Sequence, residues 1–292
     1  MKKIAIFSRK IKESQIQTFV NIFEKLDNLN CNLLIYRDLF ENISNKISLK
    51  SHFNLFSSYK DIDGCSFILS VGGDGTLLDT ISFVRDSGIP VLGLNIGRLG
   101  FLANTTYDNF EYAIKEILIN NYSIDKRTLI RIDTNKPLFG DINYALNEIA
   151  VLKSDVSSMI KIDVHVNDLF LNTYWADGII VATPTGSTAY SLSCGGPIIV
   201  PESNSFIITP VASHNLTVRP VVISDSSVIK INIDADNTPF LINLDSRKIK
   251  TSKKTEIIIT REDFTYNLIK LKTDNFFSTI RNKLMWGIDK RN

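Results

Sequence analysis

The chain has 292 residues, of which 44% are hydrophobic, so it can bury a sizeable core and is long enough for two domains. Its 33 Lys and Arg residues and 31 Asp and Glu residues give a net charge of +2, and both signs are scattered along the sequence. A nucleic-acid or membrane-surface protein should carry clustered basic residues, so the charge pattern argues against both partners. No apolar run approaches the roughly 18 residues that would indicate a membrane span.

The ends of the chain and its cysteines bear on the cellular compartment. The basic start is followed by only four apolar residues, Ile4 to Phe7, which predicts a buried strand and not a signal peptide. The three cysteines lie far apart without a CxxC pair, and the three histidines lack metal-ligand spacing. Reduced thiols are the simplest account of the cysteines, so a soluble cytoplasmic protein without a structural zinc site is expected.

Strand-like and helix-like patterns alternate over residues 1–125. Apolar residues at spacings of three and four predict a helix within Ile11 to Leu29. The same patterns predict strands at Leu33–Tyr36, Phe67–Val71 and Pro90–Asn95, and helices at Leu77–Val84 and Phe110–Ile119. Strands that alternate with helices imply parallel pairing through right-handed crossovers. The first domain is therefore predicted to be α/β, with an open parallel sheet.

From about residue 126 the pattern becomes mainly β. Apolar and polar residues alternate in segments such as Lys161–Val166 and Val228–Ile233, without long helical stretches between them. Residues 126–270 are therefore predicted to form a mainly-β, sandwich-like domain. The amphipathic segment Phe276–Trp286 predicts a C-terminal helix, and residues 271–292 are expected to return to the first domain.

A glycine-rich turn follows the predicted strand Phe67–Val71. Gly72, Gly73 and Gly75 can bring backbone N–H groups close to a phosphate, and the start of the next helix adds donors and a favourable dipole. A βα turn without ligand function is the alternative for glycines alone. Asp74 favours a catalytic site over a plain turn, because a carboxylate beside bound phosphate is unfavourable unless it binds a metal, orients a hydroxyl or accepts a proton. The spacing matches neither a Walker nor a dinucleotide fingerprint.

Two further segments suit a dinucleotide. Asn147 and Glu148 place a donor-acceptor amide beside a carboxylate after a strand, a pair able to hold a vicinal diol. Thr183–Ser191 packs hydroxyl groups ahead of the aromatic ring of Tyr190, where an adenine could lie. The alternatives are an ordinary polar strand end and a surface turn.

These segments resemble a known enzyme family. The Gly72–Thr76 turn resembles the GGDG turn of NAD kinases, diacylglycerol and sphingosine kinases and 6-phosphofructokinases. Four further segments, in this order, resemble the motifs of bacterial NAD kinases: Asn95–Leu102, Leu146–Ile149, Asp177-Gly178 with Thr183–Ser191, and Gly195–Pro197. The ending Lys283–Gly287 is similar as well, so the resemblance covers nearly the whole chain.

The resemblance implies an enzyme that transfers the terminal phosphoryl group of ATP to the adenosine ribose 2′-hydroxyl of NAD, giving NADP and ADP. It implies Asp74 as the general base, and Gly72, Gly73, Gly75 and Thr76 as the phosphate turn for ATP. The implied NAD-binding residues are Asp74, Gly75, Asn147, Glu148, Trp175, Asp177, Thr185, Thr188, Ala189, Tyr190, Ser191, Leu192, Ser193, Ala212 and Arg247. A divalent metal, Mg²⁺, would arrive with ATP without protein ligands of its own. A homodimer or homotetramer is implied, with Asp177 able to serve a neighbouring subunit's site.

Three positions depart from the family pattern. Trp175 stands where many relatives have an arginine, and Ser158 and Arg247 replace a basic residue and a glutamine found in some bacterial relatives. These changes concern phosphate contacts and cofactor preference more than the reaction, and Arg98 or Arg247 could compensate. The rival enzyme is a lipid or sugar kinase with the same turn, although no basic-apolar docking surface is found. The rival from another class is an NAD-sensing module, which would not need Asp74.

Overall fold

The computed structural model describes residues 2–9, 11–29, 31–47, 53–97, 100–154, 159–234, 239–252 and 255–287. Arg98 and Ser158 lie outside these ranges. The chain forms two compact units, one of Met1–Lys126 with Tyr266–Asn292 and one of Arg127–Thr265. We call them the first and the second unit.

The strands are, in chain order, β1 Lys3–Phe7, β2 Asn32–Tyr36, β3 Phe53–Phe56, β4 Phe67–Val71, β5 Val91–Asn95, β6 Thr105–Thr106, β7 Ser123–Thr134, β8 Tyr144–Ala145, β9 Glu148–Lys153, β10 Ile160–Val166, β11 Leu169–Ala176, β12 Gly178–Ala182, β13 Ser205–Val211, β14 Val221–Ser224, β15 Ile229–Asp234, β16 Phe240–Leu244, β17 Arg247–Thr251 and β18 Glu256–Lys270. The α-helices are α1 Ile16–Asn28, α2 Arg37–Ile43, α3 Asp74–Asp79, α4 Ile81–Val84, α5 Phe110–Leu118, α6 Tyr190–Ser193 and α7 Phe276–Leu284.

The first unit is built on a parallel sheet with the strand order β5-β4-β1-β2-β3, and β6 runs parallel to β5. The strands form from short, continuous apolar runs because both faces of such a sheet are buried. Phe23 of α1 and Ile114 of α5 share a core cluster with Ile6 and Leu69 of the sheet. Helix α7 belongs to this unit and begins after Asn275, whose side chain accepts from two backbone N–H groups of its first turn.

The second unit consists of two antiparallel sheets. One has the order β11-β10-β15-β18, and the other has the order β14-β13-β12-β9-β16-β17. Side chains from both sheets, among them Ile162 and Ile231 from the first and Val151, Ile179 and Ile242 from the second, form one buried cluster. Alternate residues along most of these strands belong to this cluster, as the sequence pattern requires of a sandwich. The predicted fold class, an α/β domain followed by a mainly-β domain, is confirmed.

Candidate active site

The glycine turn lies at the carboxyl end of β4, the edge of a parallel sheet at which ligands bind. The N–H of Gly72 donates to the Leu94 carbonyl in the neighbouring strand β5 (2.9 Å), and the Gly73 carbonyl accepts from the N–H of Thr76 (3.0 Å). Helix α3 therefore begins at Asp74, within the turn itself. A Cβ atom at position 72 would lie 2.4 Å from the Thr76 hydroxyl oxygen, so only glycine fits there.

Three backbone N–H groups donate to the Asp74 carboxylate. They belong to Phe101 (2.8 Å, on Oδ2), Leu102 (3.1 Å, on Oδ1) and Ala103 (2.9 Å, on Oδ1). Asp74 thus fastens the segment after β5 to the start of α3. A carboxylate has about four lone-pair sites, so these three bonds leave about one site for a further donor.

A cavity of about 290 Å³ borders the turn. Its lining includes Ser8, Arg9 and Lys12 from the segment after β1, together with Gly72, Gly73 and Thr76. The Arg9 guanidinium forms an ion pair with Asp79 of α3 and lies beside Gly75, where a Cβ atom would be 3.3 Å from its Nη1. Cationic side chains and a helix N-terminus on one cavity favour an anionic ligand.

In the second unit, Asn147 and Glu148 lie where the chain enters β9. The carboxylate of Asp245, in the turn between β16 and β17, accepts the N–H groups of Leu146 (2.8 Å), Asn147 (2.8 Å) and Glu148 (3.2 Å). On the other side of the segment, the Leu146 and Asn147 carbonyls accept from the hydroxyl and the N–H of Thr183. The backbone of the pair is therefore held on both sides.

The Glu148 side chain is mostly buried, and only one of its two carboxyl oxygens has a hydrogen-bond partner among the described residues. Its carboxyl group accepts the backbone N–H of Tyr190, while its Oε2 atom is buried without a partner among the described residues. Burial, followed by the nearby charge of Asp245, raises the pKa of Glu148 to about 8. At neutral pH the group is thus mainly an uncharged acid, which can donate one hydrogen bond and accept another.

The Thr183–Ser191 segment forms a turn over Thr185–Thr188 and the short helix α6. Several of its hydroxyl groups hold this shape: Ser187 donates to the Pro184 carbonyl (2.6 Å), and Ser191 bonds Thr209 of β13 (2.9 Å). Both serines are fully buried. In this structure their hydroxyl groups bond other groups of the protein, and a contact of Ser191 with NAD stays a prediction.

The other side chains of this segment are open to solvent to different degrees. Tyr190 is 39% exposed and Ser193 is exposed, while Thr188, Ala189 and Leu192 are partly buried. The Tyr190 ring thus remains available to stack on a planar ligand. Thr185 is buried and accepts a hydrogen bond from Arg127 (3.3 Å).

Three more predicted residues lie where β11 and β13 end. Trp175 is 53% exposed, and Asp177 forms an ion pair with Lys153 (2.6 Å). The N–H of Asp177 donates to the carbonyl of Val211, next to Ala212. The structure thus brings Trp175, Asp177 and Ala212 together.

Arg247 has a different setting. Its Nη1 atom donates to the Ile142 carbonyl (2.5 Å), and its Nη2 atom donates to the Tyr144 carbonyl. These contacts brace the start of β8. A contact of Arg247 with NAD stays a prediction.

Sequence reasoning did not identify Asp245 or Gly100 as site residues. Asp245 reads as an ordinary polar residue of a hairpin turn, and its partners lie about a hundred residues earlier. The signal available in the sequence was the residue type, because Asp tolerates the left-handed region better than most residues. In the structure Asp245 has a φ of 50°. Gly100 lies against the Asp74 carboxylate.

Two features are absent from the residues that the structure describes. No group of three or more His, Cys, Asp and Glu side chains is arranged to hold a metal ion. No helix in the same ranges is long and apolar enough to cross a membrane.

Two protein-family models and many known proteins match the chain. Residues 4–122 match the family model of the ATP-NAD kinase N-terminal domain, and residues 146–271 match that of the ATP-NAD kinase C-terminal domain. An NAD kinase from Cytophaga hutchinsonii is 43% identical over 289 residues, covering 99% of both chains.

Solved structures agree on the fold. Yeast NADH kinase complexed with NADH superimposes with a TM-score of 0.88 at 24% identity, over 99% of this chain and 89% of that chain. An NAD kinase from Archaeoglobus fulgidus in complex with ATP gives a TM-score of 0.74 at 25% identity, over 97% of this chain and 98% of that one.

A glycine turn with an acid at the start of a helix, beside a cationic cavity, has the features expected of a phosphotransferase site. The matches specify which one: the chain belongs to the ATP-NAD kinase family. The expectation of an ATP-dependent NAD kinase is thereby confirmed.

Proposed function

We propose that the chain transfers the terminal phosphoryl group of ATP to the adenosine ribose 2′-hydroxyl of NAD, with Asp74 as the group that orients and deprotonates this hydroxyl. The observation that carries the proposal is the position of Asp74, the first residue of α3, in a glycine turn that borders a cavity lined by Arg9 and Lys12. Three N–H groups hold its carboxylate, which leaves about one lone-pair site for the hydroxyl. Asp74 would therefore accept the proton from a fixed position.

The cavity beside the turn is the proposed site for the phosphates of ATP. Arg9, Lys12 and the N–H groups of the turn would neutralise and orient the phosphate oxygens. Mg²⁺ carried by ATP would supply further charge neutralisation. Most of the rate enhancement in phosphoryl transfer comes from such positioning and charge stabilisation.

The Asn147–Glu148 pair is the proposed site for ribose hydroxyls of NAD. The unpartnered Oε2 atom of Glu148 supports this role, because a buried polar atom without a partner is costly unless a ligand satisfies it. Tyr190, with Thr188, Ala189 and Ser193, would surround the adenine and its ribose. Trp175, Asp177 and Ala212 would lie toward the nicotinamide end.

Chromatography of a reaction with NAD, ATP and Mg²⁺ tests the proposal, with the position of the new phosphate assigned by NMR. NADP bearing a ribose 2′-phosphate is the expected product. Absence of NADP would refute it, and phosphorylation of a lipid or sugar in parallel reactions would support the rival kinases. Binding of NAD without turnover would support an NAD-sensing module.

Replacement of Asp74 by Asn tests its role. We expect turnover to fall about 10² to 10⁴-fold, the usual contribution of a positioned base. Near-normal turnover of a folded Asp74→Asn variant would exclude Asp74 as the base.

We further propose a cytoplasmic homodimer or homotetramer, in which Asp177 serves a neighbouring subunit's site. The three cysteines, Cys31, Cys65 and Cys194, are all free thiols, which supports a reducing compartment. Activity per subunit, measured with size during dilution, tests the assembly. Constant activity in a monomeric sample would refute a shared site.

A further inference from the structure

Asp245 and Glu148 place two carboxyl groups beside each other in the second unit. Asp245 accepts three backbone N–H groups, whereas Glu148 accepts one. Asp245 is therefore better able to carry a negative charge, since each N–H bond favours the charged form. Burial raises the pKa of Asp245, and these bonds and Arg247 oppose that rise.

The contacts of Asp245 account for every backbone N–H of the segment that leads into β9. Its side chain holds the N–H groups of Leu146, Asn147 and Glu148, and its own N–H donates to the Glu148 carbonyl (3.1 Å). One residue of the β16–β17 turn therefore fixes the backbone from which the two side chains proposed to bind the acceptor extend.

We propose that Asp245 is a positioning residue for the acceptor: its side chain fixes the backbone of the Asn147–Glu148 pair. The inference rests on the proposed binding of NAD ribose hydroxyls by this pair. It adds to the site a residue that does not itself touch the substrate.

The Glu148 carboxyl group makes binding by the pair depend on pH. The titratable and charged groups that face Glu148 are Asp245, with Arg247 behind it, on the β16–β17 hairpin, and Tyr190 and Cys194 on and after α6. Since the pKa of Glu148 is about 8, its carboxyl group offers the diol both a donor and an acceptor below that pH and only acceptors above it, while the Asn147 amide is unchanged. The KM for NAD should therefore rise as the pH passes 8.

The test compares initial rates of the full-length enzyme with Asp245→Asn, Glu148→Gln and the double variant at pH 6 to 10. We expect Asp245→Asn to raise the KM for NAD about tenfold or more, with smaller changes in kcat and in the KM for ATP, because misplaced binding groups weaken positioning. In Glu148→Gln and in the double variant the KM for NAD should no longer rise with pH, because the amide does not titrate.

Asp225→Asn is the matched control, since Asp225 is a buried carboxylate of the same unit, 3% exposed and paired with Arg261 (3.2 Å). It should lower the thermal unfolding midpoint without changing the KM for NAD or its pH profile. An Asp245→Asn variant that behaves like this control would overturn the inference. A wild-type enzyme that forms no NADP would instead refute the proposed function.

A second measurement decides the matter if Asp245→Asn does not fold. Hydrogen exchange is measured in the folded wild-type enzyme and read out on the fragment that contains residues 146–148. It reports directly on the three N–H groups. Slow exchange in the absence of NAD is expected of a segment held by Asp245. Rapid exchange that slows only when NAD is added would overturn the inference.

Discussion

Gly100 lies so close to Asp74 that a Cβ atom at position 100 would be 1.9 Å from the Asp74 Oδ1 atom. Only a movement of the Asp74 carboxylate would relieve this overlap, and that movement would disrupt its bonds to three N–H groups. The glycine is therefore required by the position of the carboxylate.

Gly100→Ala should displace Asp74 while leaving its chemistry intact. We expect kcat to fall by about 10²-fold, the effect of a misplacement of about 1 Å in a catalytic group. Steady-state rates with a parallel thermal unfolding curve measure this. Normal kcat in the folded variant would show that the held position of Asp74 is not needed.

Arg9→Met should weaken the binding of ATP selectively. Loss of the guanidinium from the cavity beside the glycine turn removes a charge-assisted contact to phosphate, so the KM for ATP should rise about tenfold with little change in the KM for NAD. Arg37→Met is the control, because Arg37 is an exposed cation of the same unit that bonds Ser57 and is not among the cavity residues. Equal effects of the two substitutions on ATP would argue against a phosphate site in this cavity.

The sequence predicted the strands that are buried within the parallel sheet. β1, β2, β4 and β5 lie within one residue of the predicted ranges, because continuous apolar runs are the direct consequence of burial on both faces. The predictions did not include β3 or α2, which are short and lie at or near the sheet's end. Local patterns carry little information about such brief elements.

The helix predicted at Leu77–Val84 is two helices, α3 and α4, and α3 begins three residues earlier than predicted. Helix α3 starts early because the Gly73 carbonyl accepts hydrogen bonds from the N–H groups of Thr76 and Leu77. The Thr80 hydroxyl, at the junction of the two helices, bonds the Leu77 carbonyl (2.7 Å), a backbone bond of the kind that bends helices.

The local motifs gave the candidate site its principal residues, but not the groups that hold them. Asp74 and the Asn147–Glu148 pair are recognisable because each motif is continuous in the sequence. Gly100 and Asp245 act on partners that are distant along the chain, 98 residues away for Asp245 and Asn147. Such pairs follow from strand order and register, which a single sequence does not determine.

Tyr266→Phe tests a buried bond below the glycine turn. The Tyr266 hydroxyl bonds the Thr80 hydroxyl (2.6 Å), and both hydroxyl groups lie within hydrogen-bond distance of the Leu77 carbonyl (3.4 and 2.7 Å). Loss of the bond should cost about 1 kcal/mol of unfolding free energy. For a chain of this size that is about 2–4 °C in the thermal midpoint.

Tyr112→Phe provides the comparison, because Tyr112 is a solvent-exposed tyrosine of the same unit. It should leave the midpoint unchanged. Equal midpoints for both variants would mean that the Tyr266 hydroxyl contributes nothing to stability.

The raised pKa of Glu148 also predicts how stability depends on pH. In the unfolded chain the group ionises near its ordinary pKa of 4.5, whereas in the folded chain it keeps its proton up to a pH of about 8. Between these values folding takes up a proton, so this group makes the unfolding free energy fall as the pH rises, by at most about 1.4 kcal/mol per pH unit. Above pH 8 its contribution is constant.

Glu148→Gln removes this dependence, because the amide does not titrate in either state. Urea unfolding of the wild type and the variant at pH 5 to 9 should give curves that diverge as the pH rises, with the variant the more stable at pH 9. All other titrating groups, Asp245 included, are present in both proteins, so the difference reports mainly on Glu148. Parallel curves would show that Glu148 ionises at the same pH in the folded and unfolded chain, and that the second carboxyl group beside Asp245 is charged at neutral pH.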